Sequence, residues 1–176
     1  MSERLESVSC NYCGSDEHKV RYVKEGYNIV QCSNCGLVFV NPRLKPEAVT
    51  ELYNEEYFKG KGFDKSVQYR AEFDEKSKIT DLNDWDLSTI KKFINTNSPE
   101  KKLLDIGCGM GLFLWKAKQK DYQPEGLELS NYACEFVNSL GITAHNSTID
   151  DFDAEENTYD AVSMKEVIEH LPDPKD

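Results

Sequence analysis

Apolar and polar positions follow three successive patterns along the chain. Up to about residue 45 the apolar runs are short. Arg21-Tyr22-Val23 and Tyr27-Asn28-Ile29-Val30 flank Lys24-Glu25-Gly26 and predict a hairpin. Leu37-Val38-Phe39-Val40 predicts another strand, stopped by Asn41-Pro42. From 46 to about 98 the spacing is helical. Pro46 suits a first helical position, with Ala48, Val49, Leu52 and Tyr53 following. Lys59-Gly60-Lys61-Gly62 breaks this run. A clearer helix is predicted from Asp81 to Ile94, with Leu82, Trp85, Ile90, Phe93 and Ile94 on one side. Ser98-Pro99 closes the block.

From about 101 the pattern becomes strand, loop, helix. Lys102 to Ile106 predicts a buried strand, followed by a glycine-rich loop and a helix opening at Leu112. Glu125 to Leu129 predicts a second strand, and Tyr132 to Leu140 a second helix stopped by Gly141. Ile142 to His145 and Tyr159 to Met164 predict third and fourth strands. Strands and helices alternating at this spacing imply parallel β-α-β units, an α/β fold. There is no internal repeat or low-complexity tract.

Charge narrows the partners. The 176 residues hold 21 Lys+Arg against 32 Asp+Glu, a net charge of −11. Such a surface lacks the cations that neutralise phosphates and release counterions, so no nucleic-acid partner is expected. No apolar run approaches the roughly 20 residues of a membrane span, so no membrane partner is expected either. MSERLESVSC lacks the layout of a secretory signal, and a cytoplasmic location is the expectation.

Four of the six cysteines form two pairs, Cys10-x2-Cys13 and Cys32-x2-Cys35, separated by 18 residues. In a chain without an export signal this spacing points to one tetrahedral zinc ion held by four thiolates. Such a site has no open position and is structural. Gly14 and Gly36 follow the pairs, where a tight turn lets backbone amides approach sulfur. A redox dithiol and chance pairs in a hairpin are the competing readings. His18, between the pairs, is either a substitute ligand or an exposed turn residue.

Leu104-Asp105-Ile106-Gly107-Cys108-Gly109-Met110-Gly111 follows a parallel strand and opens a helix. Dinucleotide folds use G-x-G-x-x-G there, and here the third glycine comes one residue early. Asp105 beside the loop suits a ligand with an ammonium group as well as a carboxylate. Glu128, ending the second strand, is placed to accept from both hydroxyls of a ribose. Taken singly, Asp105 reads equally as a helix-cap acid and Glu128 as a solvated strand end.

LLDIGCGMG, GLELS and YDAVSMKEVIEHLPDP together resemble the class I S-adenosylmethionine-dependent methyltransferases. The start of the chain, through QCSNCGLVFVNP, resembles a subgroup with an N-terminal zinc-binding segment that acts on sugars or natural products. The resemblance implies a zinc ribbon over 1–45 and a helical linker or lid over 46–98. Residues 99–176 then form the N-terminal half of a Rossmann-like cofactor domain, with strands in the order 3-2-1-4. It also implies the cofactor S-adenosylmethionine. Asp105 and the backbone of Gly107, Cys108 and Gly109 hold its methionine part, and Gly111 permits close helix packing. Glu128 binds the ribose, Leu129 flanks the adenine, and Ile149 and Asp150 meet the adenine edge. Lys165 lies near the transferred methyl. Cys108 is an inert small residue. Tyr69 and Arg70 either line the cofactor entrance or belong to a surface helix.

The family fold has seven strands, and four are present. A fragment or a shortened chain is therefore expected, with its fourth strand an exposed edge prone to self-association. His170 is the candidate general base for an acceptor; in the plainer reading Glu169 and His170 fix the turn after the fourth strand. A small-molecule methyltransferase is the resulting expectation. The alternatives are a zinc-ribbon protein-binding module on an inactive scaffold and a nucleotide-dependent oxidoreductase.

Overall fold

The computed structural model describes residues 4–62, 69–76, 85–94 and 100–174. They form two compact units. Residues 4–51 join 169–174 in the first, and the described part of 52–168 makes the second. The expected helical block is thus shared between the units, and the last residues of the expected cofactor half belong with the ribbon.

The first unit is a β ribbon. Strands β1 (Leu5–Glu6), β2 (His18–Lys24), β3 (Tyr27–Cys32), β4 (Val38–Val40) and β5 (Arg43–Leu44) precede a one-turn helix α1 (Pro46–Thr50). Glu25 and Gly26 both take positive φ, the two-residue turn that matches the twist of a hairpin. β2 pairs with β3 and β3 with β4, all antiparallel, while β1 pairs with β5. The β1–β5 pair is too short to show as a sequence pattern. Asn41 is buried and ties the ribbon together. Its Oδ1 accepts from the Val8 N–H at 3.0 Å, and its Nδ2 donates to the Val8 carbonyl at 3.1 Å. The chain end returns to the ribbon: the Pro172 carbonyl accepts from Asn11 Nδ2 at 2.5 Å and from the Arg43 guanidinium.

The second unit contains α2 (Glu55–Phe58), α3 (Tyr69–Lys76), α4 (Trp85–Phe93), β6 (Lys102–Ile106), α5 (Leu112–Lys118), β7 (Gln123–Glu128), α6 (Asn131–Ser139), β8 (Thr143–Asn146) and β9 (Ala161–Met164). The part of the predicted Asp81–Ile94 helix before residue 85 lies outside the described residues. The strands form one parallel sheet in the order β8-β7-β6-β9, the expected 3-2-1-4. β7 begins two residues earlier than its apolar pattern suggests, because Pro124 is included. β8 starts opposite Glu125, so the missing Pro124 N–H breaks no ladder bond to β8.

Helices α4, α5 and α6 pack on one face of this sheet. Leu87 of α4 joins Leu103, Phe113, Ala117 and Tyr122, while Leu114 and Val137 pack with Cys108 and Ile142. On the other face Val162 and Met164 of β9 are exposed. On the same face Leu104 and Leu127 are buried, so the exposure lies at the β9 edge. Among the described residues no helix is long and apolar enough to cross a membrane.

Candidate functional site

The glycine loop joins β6 to α5. Its three glycines all lie in the left-handed region, with φ of 70° at Gly107, 53° at Gly109 and 70° at Gly111. Residues with a Cβ rarely adopt that conformation, which accounts for the alternation. Two of the three are also tightly packed. A Cβ on Gly107 would stand 2.3 Å from Val167 Cγ2, and one on Gly111 2.7 Å from Val137 Cγ2. At Gly109 a Cβ would stand 3.8 Å from Phe58 Cε1, an ordinary van der Waals contact, so only its φ calls for glycine.

The loop's amides are turned inward. Gly107 and Cys108 donate to the Leu127 carbonyl at 2.8 and 3.2 Å, and Gly111 donates to the Cys108 carbonyl at 2.9 Å. Gly109 donates to Glu128 Oε2 at 2.9 Å. A pyrophosphate requires a row of such N–H groups pointing outward. Here four of them are paired within the fold.

Two buried carboxylates bracket the loop. Asp105, 4% exposed on β6, accepts from Ser163 Oγ at 2.5 Å. Glu128, 8% exposed at the end of β7, accepts from Gly109 through one oxygen and from the Ser130 N–H through the other, at 3.0 Å. Burial raises the Glu128 carboxyl above the usual carboxylate range, opposed by the N–H groups of Ser130, Gly109 and Leu129. Each carboxylate oxygen has a second lone pair for a ligand hydroxyl. Asn146 Nδ2 fixes the end of β7 by donating to the Glu128 and Leu129 carbonyls at 3.1 and 2.8 Å. Cys108 lies under the loop against Gly126, and burial pushes its thiol up strongly, as an inert residue requires.

The structure brings Asp105, Gly107, Cys108, Gly109, Gly111 and Glu128 into one constellation. Leu129, Ile149 and Asp150 lie along the same carboxyl-terminal edge of the sheet, with Ile149 and Asp150 exposed in the turn after β8. Lys165 follows β9, and its ammonium lies 4.1 Å from the centre of the Phe113 ring. His170 is exposed and belongs to the first unit, whereas the loop belongs to the second.

An aromatic wall over the loop contains Tyr69, which the sequence suggested as lining the entrance, together with Tyr57 and Phe58, which it did not. Phe58, 3% exposed, packs edge-to-face on Tyr57 and tilted on Tyr69, at centroid distances of 5.1 and 5.7 Å. The Tyr57 hydroxyl donates to that of Tyr69 at 3.4 Å. Met110 of the loop packs in the same cluster as Tyr57, Phe58 and Phe73. The only signal for this wall was the aromatic content of 53–73, which does not reveal its target. Ser130, Asn146 and Ser163 were missed for the same reason.

In the ribbon the four Sγ atoms of Cys10, Cys13, Cys32 and Cys35 lie within 4.8 Å of one another. Cys10 and Cys35 are 3.5 Å apart, and Cys13 and Cys32 3.6 Å. A tetrahedron with metal–sulfur bonds of about 2.3 Å has sulfur–sulfur edges of about 3.8 Å, so the cluster fits zinc. The two halves repeat one backbone pattern. Cys10 donates to the Ser15 carbonyl and Gly14 to that of Cys10; Cys32 donates to Leu37 and Gly36 to Cys32, all at 2.8–3.1 Å. Gly14 and Gly36 take positive φ to permit it. Amide N–H groups reach the sulfurs as expected. That of Cys35 leads in lowering the Cys32 thiol to about 6. The Leu37 N–H pulls Cys35 down, but desolvation and the neighbouring thiols prevail and push it to about 12. His18 is not part of the cluster. Its Nδ1 donates to the Asp16 carbonyl at 2.9 Å, and its Nε2 accepts from Asn41 Nδ2 at 3.3 Å.

A parallel sheet with paired acids around an alternate-glycine loop defines a methyltransferase-type cofactor fold. The chain belongs to the methyltransferase domain family, whose model matches residues 83–176. It is 35% identical over 81 residues to the ubiquinone biosynthesis O-methyltransferase of Vibrio parahaemolyticus, covering 42% of this chain and 34% of that one. It is 30% identical over 82 residues to the enzyme of the same name from Saccharophagus degradans, covering 43% and 35%. The chain thus spans about a third of the length of the curated relatives it matches. Among solved structures it is similar to the plantazolicin methyltransferase BpumL in complex with SAH, with a TM-score of 0.46 and 20% identity over 72% of this chain and 50% of that one.

Proposed function

We propose that this chain is the cofactor-binding part of an S-adenosylmethionine-dependent methyltransferase acting on a small molecule, of the sugar or natural-product class. The observation behind this reading is the pair of buried carboxylates on adjacent parallel strands, Asp105 and Glu128, on either side of a loop whose amides face inward. A ligand with an ammonium at one end and ribose hydroxyls at the other matches two carboxylates. A dinucleotide fits less well, because four loop amides that a pyrophosphate would use are paired within the fold.

In this reading Asp105 takes the ammonium, and the backbone of Gly107, Cys108 and Gly109 borders the methionine chain. Glu128 accepts from the ribose, and Leu129, Ile149 and Asp150 border the adenine. The cofactor supplies an activated methyl group on a sulfonium centre. That transfer is already chemically driven, so the protein's main task is orientation. Tyr57, Phe58 and Tyr69 pack against one another beside the loop and help to hold it in place. Cys10, Cys13, Cys32 and Cys35 hold a structural zinc ion.

Calorimetric titration with S-adenosylmethionine and, separately, with NAD tests the reading. Micromolar binding of the first alone is expected, lost in Asp105→Ala. Binding of NAD, or unchanged S-adenosylmethionine affinity in Asp105→Ala, would sink it.

A further inference from the structure

Asp105 and Ser163 sit side by side where the connections of the sheet part. From β6 the chain leads through α5 to β7 on one side, whereas β9 lies against the other side of β6. In open α/β sheets, ligands bind beyond the carboxyl ends of the strands at such a point. The parallel register sets Ser163 opposite Asp105, with both side chains on the same face. At 2.5 Å, Ser163 Oγ donates to Asp105 Oδ1. The flanking residues on β9 are Val162 and Met164, so a hydroxyl at 163 interrupts an apolar strand at the one position that faces the acid.

This hydrogen bond restrains the orientation of the Asp105 carboxylate. We infer that Ser163 is a positioning residue for the amino-acid end of the ligand: its hydroxyl aims Asp105 at the ammonium. The inference rests on the S-adenosylmethionine reading above. It separates Ser163 from a residue that merely satisfies a buried acid, because an aiming role affects only ligands that possess the ammonium.

The experiment compares two ligands by calorimetry. S-adenosylmethionine has the amino-acid end, and methylthioadenosine lacks it. Ser163→Ala is expected to weaken S-adenosylmethionine roughly tenfold, the size of one lost charge-assisted hydrogen bond, and to leave methylthioadenosine within about twofold. Ser163→Thr, which keeps the hydroxyl, restores the affinity. Ser163→Cys, close in volume and a weak donor, serves where the alanine variant melts early, with the same ligand-selective loss expected. Equal weakening of both ligands, or of neither, overturns the positioning role. Unchanged S-adenosylmethionine affinity in Asp105→Ala, or no binding by the unmodified chain, overturns the cofactor reading and this inference with it.

Discussion

The Gly109 amide donates to Glu128 Oε2 at 2.9 Å, so the tip of the glycine loop is tied to the acid that ends the next strand. The two halves of the candidate site are therefore one hydrogen-bonded unit. Replacing Glu128 with Gln puts an NH2 donor against one of the two N–H donors it now accepts from. A stability loss of about 1–3 kcal/mol is expected, measured by urea denaturation. Ligand affinity should fall with it, and a variant that melts and binds like the original would refute the arrangement.

Glu128 also sets a pH dependence. Burial raises its folded-state pKa, so its contribution to stability is fully present below the ordinary glutamate value. That contribution declines as pH rises through the raised folded value. A ligand hydroxyl donating to the carboxylate favours the ionised form. Affinity should therefore rise with pH through the folded value and then level off, with protons released on binding. Calorimetry in buffers of different ionisation enthalpy measures that release; proton uptake would contradict the assignment.

The three loop glycines should separate in their effects. Gly111→Ala drives a methyl into Val137, which is fully buried, as well as straining φ. It should cost about 2–3 kcal/mol in stability. In Gly109→Ala the added methyl makes an ordinary van der Waals contact with Phe58, leaving only the strain of its φ, about 1 kcal/mol. Its larger effect should be on affinity, because the strained φ disturbs the N–H that Gly109 donates to Glu128. Thermal melts set against titrations for both variants check this ordering.

Zinc removal should act on the ribbon first. A ribbon this small has little core besides Val30, Cys10 and Cys32. Metal analysis is expected to find one zinc per chain. Chelation or Cys32→Ser should unfold the ribbon, with amide exchange accelerated over β2–β4 and the parallel sheet still protected. A ribbon that stays protected after complete chelation would show that the thiols need no ion.

Lys165 gives a smaller test. Its ammonium sits over the buried Phe113 ring, so Lys165→Met should lose about 0.5–1 kcal/mol of stability. If Lys165 also stands near the transferred methyl, the variant's turnover drops by more than its stability does. Melting and initial-rate measurements on the same preparation separate the two effects.

Much of the second unit was legible because its information is local. The run from Lys102 to Ile106, the glycine spacing and the helix start at Leu112 are each set by neighbours within a few residues. The strand order followed from the resemblance of those same motifs. The cysteine pairs were legible for a related reason, since the geometry of one ion dictates their spacing. In each case chain chemistry and backbone conformation coincide at one place in the sequence.

Other features depend on partners far apart in the chain. Ser163 meets Asp105 across 58 positions, because β9 crosses to the far side of β6. Phe58 meets Gly109, and Asn41 joins Val8 to His18, across tens of positions in the same way. The inward pairing of the loop amides depends on the β6–β7 register, which places Leu127 beneath them. No periodicity encodes such meetings. By itself the sequence marked the four parallel strands, the glycine loop and the paired cysteines, because these are fixed by steric and chemical preferences over a few residues. Which carboxylate is aimed, which amides are withdrawn from a ligand and which rings cover the loop were decided only when strand register and packing brought distant residues together.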